Sequence, residues 1–144
     1  MEQIKHNSAV IIGAGPAGLA IAACLRKANI PFTILEKSGN IADSWHRHYD
    51  RLHLHTVKEF SHLPYLPFDE SYPRYISRKE LIGYFENYAN HFDIKPIFNQ
   101  QVAQIRKVDG HWQASTTSGE VYTSELMVMA TGVNRVPNQP RFEG

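Results

Sequence analysis

Cysteine is nearly missing from this chain: Cys24 is the single one in 144 residues. One thiol excludes an intrachain disulfide and a CxxC redox pair, and it suits a reducing compartment, so the expected address is the cytoplasm. An excess of either charge is missing too. The 15 Lys and Arg against 14 Asp and Glu leave a formal +1, which gives no basic field to hold nucleic acid and no acidic tail. No nucleic-acid partner is expected. The apolar run from Ala9 to Leu25 is broken by Gly13, Gly15, Pro16 and Gly18, so it is read neither as a signal-peptide core nor as a membrane span, and no membrane partner is expected. Repeats and low-complexity segments are absent from the sequence. What remains is ordinary globular composition, 42% hydrophobic and 20% charged, at about the modal size of one domain, enough to bury roughly two-thirds of the unfolded surface.

The amino-terminal stretch SAVIIGAGPAGLAIAACLRKANIPFTILEK carries the strongest pattern. Ala9 to Ile12 reads as a strand buried on both faces. Pro16 suits a first helical position because it has no N–H to leave unpaired. Leu19, Ala22, Ala23 and Leu25 or Arg26 follow at helical spacing, and NIPFTILEK returns to strand, ending at Glu36. In such a βαβ unit GxGxxG has a mechanical meaning. Gly13 permits the tight turn, Gly15 lets a pyrophosphate approach the backbone, Gly18 lets helix and strand pack closely, and the helix N-terminus offers free N–H groups. Glu36, 18 residues beyond Gly18, can accept hydrogen bonds from both ribose hydroxyls of an adenosine and would repel a 2′-phosphate. FAD or NAD therefore fits better than NADP.

Residues 38 to 75 are rich in His, Pro and Tyr and lack sustained periodicity, apart from a short helix expected around Ile41 to Arg47. A segment this long needs something to pack on, and a bound cofactor could serve. YISRKELIGYFENYANHF reads as a helix, with Ser77 and Glu80 as a capping box, Ile76 placed to staple against Leu81, and a buried stripe of Leu81, Ile82, Phe85, Tyr88, Ala89 and Phe92. IKPIF reads as a parallel strand. QVAQIRKV, HWQAST and EVYTSE read as an antiparallel meander turning at Asp109-Gly110 and Ser118-Gly119. LMVMATG reads as a further buried strand with Thr131 and Gly132 at its carboxyl end, where open α/β sheets place ligands. The expected fold class is α/β: a Rossmann-like parallel sheet with a GxGxxG βαβ unit and a small antiparallel β-meander insertion.

Taken together, GAGPAGLA, ILEK, SWHRHYDRLHLHTVKEF, LPYLPF, YPRYISRKELIGYFENYANHFDI and MATG resemble the flavin-containing monooxygenases, and within them the YUCCA-type flavoenzymes that act on indole-pyruvate in plants. The resemblance implies an enzyme with two dinucleotide domains that uses NADPH to reduce FAD and then oxygenates a small organic substrate with O2 through a flavin C4a-hydroperoxide. Carried over position by position, it implies that Gly13, Gly15, Pro16, Ala17 and Gly18 hold the FAD pyrophosphate and Glu36 with Lys37 the adenosine ribose. Trp45 and Arg47 would line the flavin side, Val102 would meet the adenine through its backbone, and Thr131 and Gly132 would close over the cofactor. Many animal and yeast relatives have asparagine where this chain has His55; the YUCCA-type members have histidine, so the animal enzymes' substrates do not transfer.

Residues 1–144 would then be the N-terminal part of the FAD-binding domain. Phe142 and Gly144 would begin an FxGxxxH fingerprint, with the NADPH-binding domain and the C-terminal return absent. Such a truncated chain is expected to bind FAD weakly or not at all, to be inactive alone, and to self-associate through an exposed sheet edge or apolar patches. A rival reading is a non-catalytic dinucleotide-binding module acting alone or with a partner chain. A disulfide reductase fails for want of a CxxC.

WHRHYDRLHLH places His46, His48, His53 and His55, half of the chain's eight histidines, in one stretch. A zinc or iron site would want three or four converging ligands, and neither cysteine nor an HExxH pattern supplies them despite Asp43 and Asp50 nearby. No metal is expected. His46, His48 and His53 read as polar loop residues. Within an extended segment His53 and His55 share a face, and by the resemblance His55 is the flavin-facing catalytic position, expected to make a hydrogen bond near the flavin.

Overall fold

The fold is described from a computed structural model for residues 4–132 and 140–142. Five strands form one sheet in the order β2-β1-β5-β4-β3. Its parallel half is β1 (Ile4–Ile12) flanked by β2 (Phe32–Leu35) and β5 (Val121–Met129). Its antiparallel half is β5, β4 (His111–Thr116) and β3 (Val102–Val108). The α/β class with a meander is as the sequence predicts.

Two faces follow from the period of two along β1. Ile11 joins Ile34 of β2 in a core shared with α1 (Pro16–Lys27) and α3 (Arg78–His91). Val10, Ile12 and Leu35 point the other way, against Tyr122, Val102, Ile105 and Met127 of the curled meander. Ala9, Val10, Ile11 and Ile12 are accordingly buried, as expected of a strand covered on both faces.

The two helices end in different ways. In α1 the Ile30 N–H reaches back to Leu25 O (2.9 Å), with Asn29 in the left-handed conformation between them. Arg26 of α1 donates to Phe92 O (3.2 Å) and Asp93 O (2.7 Å), so a guanidinium covers the carbonyl end of α3. The capping box of Ser77 and Glu80 is present, and Ile76 and Leu81 share the core, as a staple requires.

Three expectations are corrected. EVYTSE and LMVM are one continuous strand, β5, because the residues that pair with β4 also pair with β1. Its second half is not buried: the pairing with β4 ends at Ser124, and Leu126 and Met129 stand exposed. IKPIF forms a single parallel bridge, Ile97 to Leu35, rather than a strand; Pro96 lacks the N–H a ladder needs. In the stripe of α3, Tyr84 is buried and Ile82 only half-buried.

Residues 38 to 75, expected to need something to pack on, find part of it in the protein's own helix α3. Leu63 N–H donates to the Tyr84 hydroxyl (2.7 Å), which donates to Leu66 O (2.7 Å), and the Tyr88 hydroxyl donates to Pro64 O (2.8 Å). Burial pushes both phenols above the ordinary tyrosine range, so they remain hydroxyl donors. Leu54 N–H to Ile76 O, Lys58 N–H to Arg74 O and Arg78 N–H to Leu52 O (2.8, 2.9 and 2.8 Å) tie the loop's first half to the strand-like entry of α3.

Candidate functional site

The turn between β1 and α1 is built by two glycines the chain cannot replace and one it does not need. Gly13 has φ +107°, and a Cβ there would lie 2.4 Å from Ala130 O. A Cβ on Gly18 would lie 1.9 Å from Gly13 O. Both contacts are sterically forbidden, so close packing of α1 on the strand tips fixes these positions. Gly15 has φ −80° and ψ −175°, open to any residue, and an added Cβ would meet nothing within 4 Å. Its open front is the space a ligand would fill. Gly15 is also the N-cap of α1, with no side-chain cap, followed by Pro16 and the exposed Ala17. The first-turn N–H groups are thus offered outward, where the helix dipole favours an anion.

Glu36, one residue past β2, is 7% exposed and is the one buried charged residue among those described. Its Oε2 accepts from Ala14 N–H (2.8 Å); its Oε1 accepts from Ser38 N–H (2.9 Å) and the Ser38 hydroxyl (2.8 Å). These three donors offset the cost of removing the carboxylate from water. Ala14 O in turn accepts from Ala42 N–H (3.0 Å), where Ala42 takes a left-handed conformation. The glycine turn, the β2 tip and the 38–45 segment therefore interlock around one carboxylate.

The sequence-predicted residues fall into two groups. Gly13, Gly15, Pro16, Ala17, Gly18 and Glu36 come together. Thr131 joins them, its N 3.6 Å from the position a Gly13 Cβ would take, with exposed Gly132 (φ +79°) beyond it. Lys37 is exposed beside Glu36. Val102 packs on Leu35, and Gln100 N–H donates to Glu36 O (2.8 Å), which brings the start of β3 to the same tip. Trp45 lies on α2 (Asp43–His46), anchored through Ala42, and packs its half-buried ring near Phe85 at 6.2 Å.

The remaining residues make other contacts. Arg47 pairs with Asp43 (2.9 Å) with its side chain 67% exposed. His55 is exposed, and no hydrogen bond among the described residues links it to the glycine turn. His53 is exposed and bridges to Ser77, while exposed His48 stands edge-on to Trp45 at 5.5 Å. His46 departs from expectation: it closes α2, is half-buried, and its Nε2 has no partner among the described residues. Phe142 is exposed, and Gly144 lies outside the described residues.

Sequence reasoning missed three contributors. Ser38 and Ala14 hold Glu36, and Arg78 holds the histidine-rich turn, donating to His46 O and His48 O (both 2.8 Å) and pairing with Asp50 (2.6 Å). Nothing in one sequence marks an arginine just after a helix cap as a clamp for residues about thirty positions earlier.

A βαβ unit with a glycine turn at the strand tips and an acid at the end of the second strand defines a Rossmann-type protein of the dinucleotide-binding class. The pattern of the pyridine nucleotide-disulphide oxidoreductase family matches residues 10–144, and the chain belongs to that family. It is 48% identical over 142 residues to indole-3-pyruvate monooxygenase YUCCA6 of Arabidopsis thaliana, covering 94% of this chain and 34% of that protein. It is 45% identical over 139 residues to indole-3-pyruvate monooxygenase YUCCA1 of Oryza sativa subsp. japonica, again covering 94% and 34%. The chain thus spans about a third of the length of the curated relatives it matches.

Among solved structures, a flavin-containing monooxygenase from Stenotrophomonas maltophilia superposes with TM-score 0.89 at 21% identity, over 97% of this chain and 42% of that one. Bacillithiol disulfide reductase from Staphylococcus aureus superposes with TM-score 0.81 at 23% identity, over 89% and 39%. At these identities the likeness is one of fold alone.

Proposed function

We propose that residues 1–144 are the FAD-binding part of an NADPH-dependent flavin monooxygenase that uses O2 to oxygenate a small organic substrate. The observation that carries this reading is Gly15, a glycine that neither backbone conformation nor packing requires, facing open space between two that are required. The residues fit the cofactor. Gly13, Gly15, Pro16, Ala17 and Gly18 would take its diphosphate on the turn's amides, Glu36 and Lys37 the adenosine ribose, and Val102 the adenine. Trp45 and Arg47 would line the flavin side, with Thr131 and Gly132 closing above.

When bound, FAD supplies the electron transfer and oxygen chemistry. The chain's own part is to hold it, orient it and exclude water. His55 would contribute a hydrogen bond to the flavin rather than a proton transfer. NADPH would bind outside this chain. The relatives are named for indole-3-pyruvate, which makes it the substrate to try first. Monooxygenase is preferred to disulfide reductase because the similarity to the monooxygenases reaches 48% in sequence, and because the chain has no CxxC.

The cytoplasm is the proposed compartment, in keeping with one cysteine; no helix among the described residues is long and apolar enough to cross a membrane. The test is an absorbance spectrum of the protein, expressed at the full length its gene encodes, before and after adding FAD. Resolved bound-flavin bands, lost when Gly15 is replaced by a bulky residue, are expected. A folded protein whose spectrum is indifferent to FAD overturns the reading.

A further inference from the structure

A carboxylate oxygen offers two in-plane acceptor positions, so Glu36 has about four in all. Three are taken. Oε2 receives the Ala14 N–H and keeps one position open, whereas Oε1 receives both the N–H and the hydroxyl of Ser38 and is full. A ribose that donates both hydroxyls needs one open position on each oxygen. Ser38 therefore stands where one of those hydroxyls must go.

The same hydroxyl has somewhere else to turn. Ser38 Oγ lies 3.1 Å from Asn40 O, a backbone carbonyl that accepts no other hydrogen bond among the described residues. One proton has two acceptors, 2.8 and 3.1 Å away, and rotation of the O–H about the Cβ–Oγ bond turns it from one to the other. The Ser38 and Ala14 N–H groups would hold the carboxylate in place during the exchange.

We propose that the Ser38 hydroxyl is an internal stand-in for a ribose hydroxyl, occupying Glu36 Oε1 in the empty site and swinging to Asn40 O when the adenosine ribose of the cofactor binds. This rests on the dinucleotide reading of the site and adds to it a specificity-determining residue. The consequence concerns selectivity. With Ser38 present, a cofactor lacking the matching hydroxyl leaves no bare acceptor, because the serine simply returns, so discrimination against the deoxy sugar is weak. Without the serine hydroxyl, an intact ribose displaces nothing, and a deoxy sugar leaves a buried lone pair unpaired, the costlier defect.

The experiment titrates apoprotein, at the full length its gene encodes, with FAD and with its 2′-deoxy and 3′-deoxy adenosine analogues, following flavin fluorescence, in wild type, S38A and S38T. In S38A, FAD is expected to bind more tightly, and discrimination against one of the two deoxy analogues to rise roughly 3- to 10-fold, the span of one hydrogen bond. S38T, which keeps the hydroxyl, should follow wild type. If S38A weakens FAD and both analogues alike, Ser38 merely props the carboxylate and the stand-in role is overturned. If wild type binds FAD and neither analogue is treated differently in S38A, the inference also falls while the dinucleotide site stands. If wild type binds no FAD, both fall together.

Discussion

At the glycine turn one methyl group, added at three places, separates what the fold demands from what a ligand demands. G13A and G18A would drive a Cβ against Ala130 O or Gly13 O, backbone atoms that cannot step aside. Each is expected to cost about 1–3 kcal/mol or more, read as a lower midpoint in urea. G15A should do the opposite to stability. The conformation is open to alanine, so the variant is expected to be unchanged or stabilised by about 0.4–1 kcal/mol through the unfolded chain. It should nonetheless lose at least roughly tenfold in FAD affinity, since its methyl group enters the space reserved for the diphosphate. A destabilised G15A with undiminished FAD binding would contradict the assignment. The turn at Gly13 and the close packing at Gly18 could be read in the sequence because spacing alone encodes them. The partners of Glu36 could not. Ala42 docks on Ala14 in a left-handed conformation that nothing in the residue type announces, and Ser38 reaches its carboxylate through a turn of irregular backbone.

Helix α3 is the element on which the long loop is hung, and its own start is set by a local device. The hydrogen bonds from Ser77 hold the Glu80 carboxyl below the ordinary carboxylate range. Such a group stabilises the fold fully above its ordinary value and loses that contribution as pH falls through the lowered one. The stability difference between wild type and E80Q should therefore hold steady near neutrality at about 0.3–1 kcal/mol. It should shrink as pH drops below the usual carboxylate range, which paired urea melts at neutral and acid pH would follow. A difference that grows with acid would contradict the capping role. At the other face, Y84F strips both bonds that tie residues 63 and 66 to the helix, leaving the Leu63 amide without its acceptor. The expected loss is about 1–3 kcal/mol, with faster proteolysis within residues 61–68 than elsewhere. The capping box and staple were legible because they are sequence-local. Tyr84 was not, since it lies outside the stripe expected to be buried, and only the incoming loop carbonyl and amide show why it is buried.

Across the whole molecule the least satisfied feature is β5. Turn chemistry was legible, with Asp109 and Gly110 both at positive φ as a two-residue hairpin requires. The merging of two apparent strands into β5 was not, because Ser124 and Glu125 interrupt the apolar pattern while the backbone runs on. The result, among the described residues, is a strand paired on both sides at Val121–Ser124 and on one side from Glu125 to Met129. Leu126 is 51% and Met129 60% exposed along that open edge. Bare ladder groups beside exposed apolar side chains favour strand addition. The 144-residue chain, expressed alone, is accordingly predicted to self-associate through this edge. M129K places a charge beside it and leaves the β1–β5 ladder intact, so size-exclusion with light scattering should show the assembly shifting toward monomer while far-UV circular dichroism stays the same. A wild-type chain that is already monomeric at tens of micromolar would show that the edge is too short or too twisted to recruit another strand, and the proposed homo-oligomer would have no physical basis.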